Sequence, residues 1–158
     1  IRQRGGRGDD DLSAEASGRR NRIRQRGGPG DDDLSAEASG RRNMVRQRGG
    51  PGDDELQVEV TGRRNRVRQR GGRGDDVLTA RLGSGRTRGT LRGGPGYDSA
   101  VLYAEGQPVK VVGADGRLLY QNGRGGAVIR VLGVEHLTIV NGDESVSLDL
   151  AWPQSSPD

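Results

Sequence analysis

Apolar and polar positions alternate along most of the first hundred residues, and the alternation recurs every 22 residues. IRQRGGRGDDDLSAEASGRRNR spans 1–22, IRQRGGPGDDDLSAEASGRRNM spans 23–44, VRQRGGPGDDELQVEVTGRRNR spans 45–66 and VRQRGGRGDDVLTARLGSGRTR spans 67–88. A fifth, drifting copy keeps the register, its GGPGYD beginning at 93. In the DLSAEA stretch the even members are apolar in every copy. They form three columns: Leu12, Leu34, Leu56, Leu78 and Ala100; Ala14, Ala36, Val58, Ala80 and Leu102; Ala16, Ala38, Val60, Leu82 and Ala104. The odd members (Asp11, Ser13, Glu15 and their equivalents) are mostly polar, and period two with one apolar face predicts a half-buried strand. In the second stretch, RIRQR, the residues Ile1, Ile23, Val45 and Val67 share a face with Gln3, Gln25, Gln47 and Gln69, while the arginines take the other. The segments between the stretches, GGxGDD and SGRRN, are Gly-rich as tight reversals require.

A strand–turn–strand–turn unit of this length cannot bury its apolar face alone; stacking successive units does it. The expected fold is all-β: a parallel β-solenoid, or β-roll, with two short strands per 22-residue coil and an atypical C-terminal capping region. The inward Gln column is expected to form an amide ladder along the axis. The competing reading is a disordered low-complexity tract, against which a strict apolar register over five copies argues. Residues 1–104 read as the repeat region, 105–152 as motif-free coils and a cap, and 153–158 as a flexible tail.

Composition sharpens this picture. Of 158 residues 29 are Gly and none is Phe or Cys, and aromatics make up 3%. A thin core lined by Ala and Val accounts for the missing Phe, and the absent Cys excludes disulfides and thiolate metal sites. No apolar run approaches the ~18 residues of a membrane-spanning helix. With neither an initiator Met nor a signal peptide at Ile1, the chain is expected to be a fragment or a processed product. Charge is uneven: residues 1–88 hold 21 Arg against 14 Asp and Glu, while residues 89–158 hold 5 Lys and Arg against 8 acids.

The acidic turns read GGRGDDDLS (5–13), GGPGDDDLS (27–35), GGPGDDELQ (49–57), GGRGDDVLT (71–79) and GGPGYDSAV (93–101). The first four fit G-G-x-G-x-D-x-L-x at every fixed position. This resembles the haemolysin-type calcium-binding repeat of the RTX family, a parallel β-roll, over about residues 5–101. The resemblance implies a secreted, extracellular protein. It also implies Ca²⁺ held between coils by Asp10, Asp32, Asp54, Asp76 and Asp98 together with the turn glycines Gly6, Gly8, Gly28, Gly30, Gly50, Gly52, Gly72, Gly74, Gly94 and Gly96. Ca²⁺ takes six to eight oxygens, so a stacked acidic turn suits it. The alternative is that these aspartates pair with the flanking arginines. The chain departs from the family in its 22-residue coil, in carrying the motif on one edge only, and in its basic character. A second, weaker similarity is architectural, to the curlin amyloid repeat.

Arginine forms columns of its own: Arg4, Arg26, Arg48, Arg70 and Arg92; Arg2, Arg24, Arg46 and Arg68; and Arg20, Arg42, Arg64 and Arg86 beside the SGRRN turn. Stacked like charges repel, and three arrangements offset that: solvent and salt, a polyanion, or another copy of the chain presenting its Asp11/Glu15 face. The first two columns are thus the candidate polyanion or self-assembly residues. The RGG triplets are also similar to the RGG boxes of RNA-binding proteins. Those interleave aromatics for base stacking, and residues 1–88 have none, so nucleic acid is the disfavoured polyanion.

Beyond residue 104 the strand pattern continues at 109–112, 117–121, 127–132, 137–140 and 145–152, with Trp152 expected as a lid on the core. His136 has no companion at catalytic spacing, and no nucleophile–base or His–carboxylate constellation stands out, so no enzymatic activity is expected. The functional expectation is a secreted, calcium-stabilised structural solenoid of an adhesive or fibre-forming protein. The alternatives are a polyanion-binding module and a self-assembling filament subunit.

Overall fold

The computed structural model describes residues 1–83 and 85–150. Two parallel-built sheets face each other. One contains, in spatial order, β1 (Asp11–Arg19), β3 (Asp33–Arg41), β5 (Glu55–Thr61), β7 (Val77–Leu82), β9 (Ser99–Tyr103), β13 (His136–Asn141) and β14 (Glu144–Asp149). The other runs β2 (Arg22–Arg26), β4 (Met44–Arg48), β6 (Asn65–Arg70), β8 (Thr87–Arg92), β12 (Ala127–Leu132), β10 (Val109–Val112) and β11 (Leu118–Asn122). The chain alternates between sheets at every turn through β9, and each strand from β1 to β7 pairs in parallel with its equivalent 22 residues later: Leu12 with Leu34, Val45 with Val67, Gln47 with Gln69. The all-β solenoid read from the sequence is the fold observed, and within the described residues the predicted strands form.

The core is the thin layer between the sheets. Leu34, Leu56 and Leu78 with Ala36, Val58 and Ala80 meet Ile23, Val45 and Val67 there, all buried. The glutamines form the expected ladder inside it. Nε2 of Gln25 donates to Oε1 of Gln3, Gln47 to Gln25 and Gln69 to Gln47, each at 2.9 Å. Each of these amides also donates across to carbonyls of the facing sheet, as Gln47 does to Leu34 at 2.8 Å. The ladder ends where the fifth copy of the repeat substitutes Leu91.

The C-terminal region departs from simple continuation. Only β12 and β13 extend the stack, in parallel on β8 and β9. β10 lies outside β12 although it precedes it in sequence, and β11 turns back antiparallel on β10. β14 turns back antiparallel on β13. Both sheets therefore end in a reversed strand, which breaks the register that another coil would need. The Nδ1 of His136 meets the Asp149 carboxylate at 2.8 Å across the β13–β14 pair, a structural contact. The lid expected at Trp152 and the tail at 153–158 lie outside the described residues.

Close stacking makes a sharp prediction about glycine. A Cβ on Gly50 would overlap the Gly28 carbonyl oxygen of the coil before, whereas one on Gly6 meets nothing within 4 Å. Neither residue has a positive φ. Gly50→Ala is expected to lower unfolding stability in urea titrations by ~3 kcal/mol or more, and Gly6→Ala by no more than ~0.5 kcal/mol.

Candidate functional site

The GGxGDD edge explains itself residue by residue. The second aspartate of each turn (Asp10, Asp32, Asp54, Asp76, Asp98) points into the coil, and the last four are buried. In four of the five turns its Oδ2 accepts the N–H of the second glycine, Gly6 to Asp10, Gly28 to Asp32, Gly50 to Asp54 and Gly94 to Asp98, all at 2.7 Å, while the buried Oδ2 of Asp76 has no hydrogen-bond partner. Its Oδ1 accepts the N–H of the same aspartate one coil earlier: Asp10 to Asp32 at 3.0 Å, Asp32 to Asp54 at 2.9 Å, Asp54 to Asp76 at 3.0 Å and Asp76 to Asp98 at 2.9 Å. The carboxylate lies against the first glycine of its turn, where any Cβ would collide with it. The carbonyl oxygen of the second glycine (Gly6, Gly28, Gly50, Gly72) occupies the space that a Cβ on its successor in the next coil would need. The third glycine (Gly8, Gly30, Gly52, Gly74, Gly96) has φ between +94° and +143°, a conformation open to glycine alone at low cost.

The first aspartate of each turn builds a second, exposed ladder in the opposite direction. Asp31 N–H donates to Asp9 Oδ1 at 2.9 Å, Asp53 to Asp31 at 2.8 Å, Asp75 to Asp53 at 2.7 Å and Tyr97 to Asp75 at 2.7 Å. The two ladders bind each coil to both of its neighbours. The inner ladder is closed by a residue the sequence pattern did not single out: Glu135 Oε2 accepts the N–H of Asp98 at 2.6 Å. The signal was present, faintly, in Gly133-Val134-Glu135, a glycine followed two residues on by an acid.

This arrangement gives the calcium ligands implied by the resemblance another task. Apart from the lone Asp76 Oδ2, the oxygens of the buried inner carboxylates accept N–H groups, and the carbonyls of the second glycines face the next coil rather than a shared point. Among the described residues no three acids or histidines converge as a ligand group. A hard cation needs an oxygen cage, so the donor set at this column does not fit Ca²⁺. Nor do these aspartates pair with arginine. The ion pairs among the described residues are Arg81–Glu59, at 3.9 Å, and His136–Asp149.

The arginines expected to face outward do so. On the outer face of β2, β4, β6 and β8 stand Arg24, Arg46 and Arg68 in one column and Arg26, Arg48, Arg70 and Arg92 in the next. Arg2 precedes the first column through its bridge to Arg24, and Arg4 is exposed at the same end. Thr90 takes the next place after Arg68. No acid interrupts this face on those four strands. The opposite outer face carries Asp11, Glu15, Asp33, Glu37, Glu55 and Glu59 on β1, β3 and β5. The protein is thus a slab with one basic and one partly acidic side.

Burial acts on the inner aspartates. It pushes the Asp54 carboxyl up to about 6 and the Asp76 carboxyl up to about 7, with neighbouring aspartates adding to the rise and backbone N–H groups opposing it. Asp98 is also raised, mainly by burial, with the Glu135 charge contributing. A carboxyl whose folded value lies above its unfolded value of 3.8 holds its proton longer in the folded state. Stability from these groups is therefore highest at low pH and declines as pH rises from about 4 through about 7. The thermal midpoint is expected to be higher at about pH 5 than at about pH 8, and Asp76→Asn to flatten that difference. A midpoint that falls on acidification over this window would contradict the buried-carboxylate account. A second expectation follows from the N–H donors: circular dichroism melts with excess Ca²⁺ and with chelator should coincide, because every Oδ1 of the inner column from Asp32 to Asp98 already accepts an N–H.

Compared with known proteins, the chain matches no family model, no curated protein and no solved structure at a significant level.

Proposed function

We propose that this chain is a structural β-solenoid module that holds a linear polyanion against its arginine sheet. The observation that carries the reading is a flat face of stacked arginines with no acid among them. Neighbouring rungs lie about 4.8 Å apart, where two exposed like charges repel by on the order of 1 kcal/mol in water. Intramolecular pairing does not offset this, since Arg81 is the arginine with an acid partner among the described residues, and it lies on the other sheet. Nε of Arg46, in the middle of the face, is buried without a hydrogen-bond partner. A polymer with regularly spaced negative charge supplies the missing counter-charge along the whole column. A rigid scaffold of this kind suits an extracellular adhesive or fibre-forming protein.

The acidic face of β1, β3 and β5 favours a second reading, in which copies stack basic face to acidic face. Such a contact is heterologous and propagates. Sedimentation at rising protein concentration distinguishes it, because stacking predicts assemblies that dissolve in salt.

For the polyanion reading, the log of the affinity for dextran sulfate is expected to fall linearly with the log of salt concentration, with a slope steeper than about −3. The triple variant Arg24→Thr, Arg46→Thr, Arg68→Thr, which copies what position 90 already has, should make that slope shallower by about 3. Binding that is indifferent to salt, or unchanged in the variant, would remove the proposal.

A further inference from the structure

The edge opposite the acidic turns carries its own chemistry. There the SGRRN turns place an asparagine, buried at Asn43 and Asn65, beneath two exposed arginines. Asn43 Nδ2 donates to the Ser39 carbonyl at 2.7 Å, and its Oδ1 accepts the N–H of Asn21 at 2.9 Å; Asn65 does the same for Thr61 and Asn43. The turns are further bolted together by the N–H of Arg20 to the Arg41 carbonyl at 2.9 Å and of Arg42 to the Arg63 carbonyl at 3.0 Å. On this rigid base Arg20, Arg42 and Arg64 hold φ of 61°, 60° and 62°. A residue with a Cβ adopts that region at a cost that glycine avoids, and the repeat nonetheless places arginine there three times.

The consequence is a groove lined by Arg19, Arg20, Arg41, Arg42, Arg63 and Arg64, with no acid in its walls. It does not stop with the repeats. Arg86 continues the line in the fourth coil, and Arg124 joins it from the loop between β11 and β12. Arg124 lies outside the 22-residue pattern, so the basic track along this edge is not merely a by-product of repetition.

We propose that this double-arginine edge is a binding site, separate from the arginine sheet, for a single strand of carboxylated polysaccharide lying along the solenoid axis. Two guanidinium groups per coil present forked donors, which match carboxylates in bidentate geometry. A polymer with one carboxylate per sugar ring repeats at about the length of one ring, close to the ~4.8 Å rise per coil. Polyphosphate spaces its charges more tightly. No aromatic side chain lines the groove to stack a base, which disfavours single-stranded nucleic acid. The site uses none of Arg24, Arg46 and Arg68, although Arg42, Arg64 and Arg86 also border Arg66 and Arg88 at the start of the sheet strands.

The test is the triple variant Arg20→Gly, Arg42→Gly, Arg64→Gly. Glycine relieves the positive φ, so the variant is expected to melt at or above the wild-type temperature. A parallel Asn variant at the same positions, also tolerant of that φ, guards against any effect of glycine on the fold. The probe is a short oligogalacturonate, followed by calorimetry. Both edge variants are expected to lose ~10-fold or more in affinity, while the sheet variant Arg24→Thr, Arg46→Thr, Arg68→Thr stays within ~3-fold of wild type. Unchanged binding in the edge variants would overturn the proposal, as would loss in the sheet variant alone. Equal affinity for an oligothymidylate of the same charge, lost in the same edge variants, would overturn the assignment of the ligand.

Discussion

Everything in this fold depends on how the turns satisfy their backbone N–H groups once coils are stacked at strand spacing. Strand interiors are paired by the sheets, but in the reversals backbone carbonyls of the next coil serve only some of the N–H groups, and a buried donor left without an acceptor costs about 1–3 kcal/mol. The chain solves this with side chains that reach one coil up or down. The inner aspartates accept from the coil before, the outer aspartates from the coil after, the asparagines from the coil before, and the glutamines bond to one another through the core. Each ladder is possible because the same residue recurs at the same place. A 22-residue repeat that drifted in length would break all four together.

The ladders also account for the glycines and for the distribution of charge. Three glycines per acidic turn have three separate causes: a carboxylate lying on the first, a neighbouring carbonyl on the second, and a positive φ at the third. Turning one acid of each pair inward removes a column of negative charge from the surface. The arginines then dominate the exterior of β2, β4, β6 and β8 and the whole of the SGRRN edge. The rise in the Asp54 and Asp76 carboxyls reflects the same arrangement, since N–H donors compensate only part of the cost of burying charge.

Ladders need ends, and the ends are where the sequence changes character. Glu135 supplies the last acceptor to the inner aspartates, while Tyr97 ends the outer column as a donor alone. Leu91 and Thr87 end the amide columns. In the same region both sheets finish in antiparallel strands, and the β10–β11 hairpin is inserted so that β12, not β10, rests on β8. Gly89 makes room there for Ile129, whose Cδ1 lies where a Cβ would be.

Periodicity alone determined the architecture: the alternation of apolar and polar residues, multiplied by an unbroken period, specifies strand faces, parallel register and a stacked core, because only stacking buries so narrow an apolar stripe. It also determined which arginines face outward and that the glutamines would form a ladder. What it did not determine is which atoms the aspartates serve. Motif spacing places Asp32 at the turn, but whether its oxygens meet a cation, an arginine or an N–H depends on where neighbouring turns aim their backbone, and that is decided by the packing of one coil on the next. The same holds for Arg20, Arg42 and Arg64, whose letters carry no sign of their positive φ, and for Glu135, which becomes part of the aspartate ladder only because the cap folds back beneath the fifth turn.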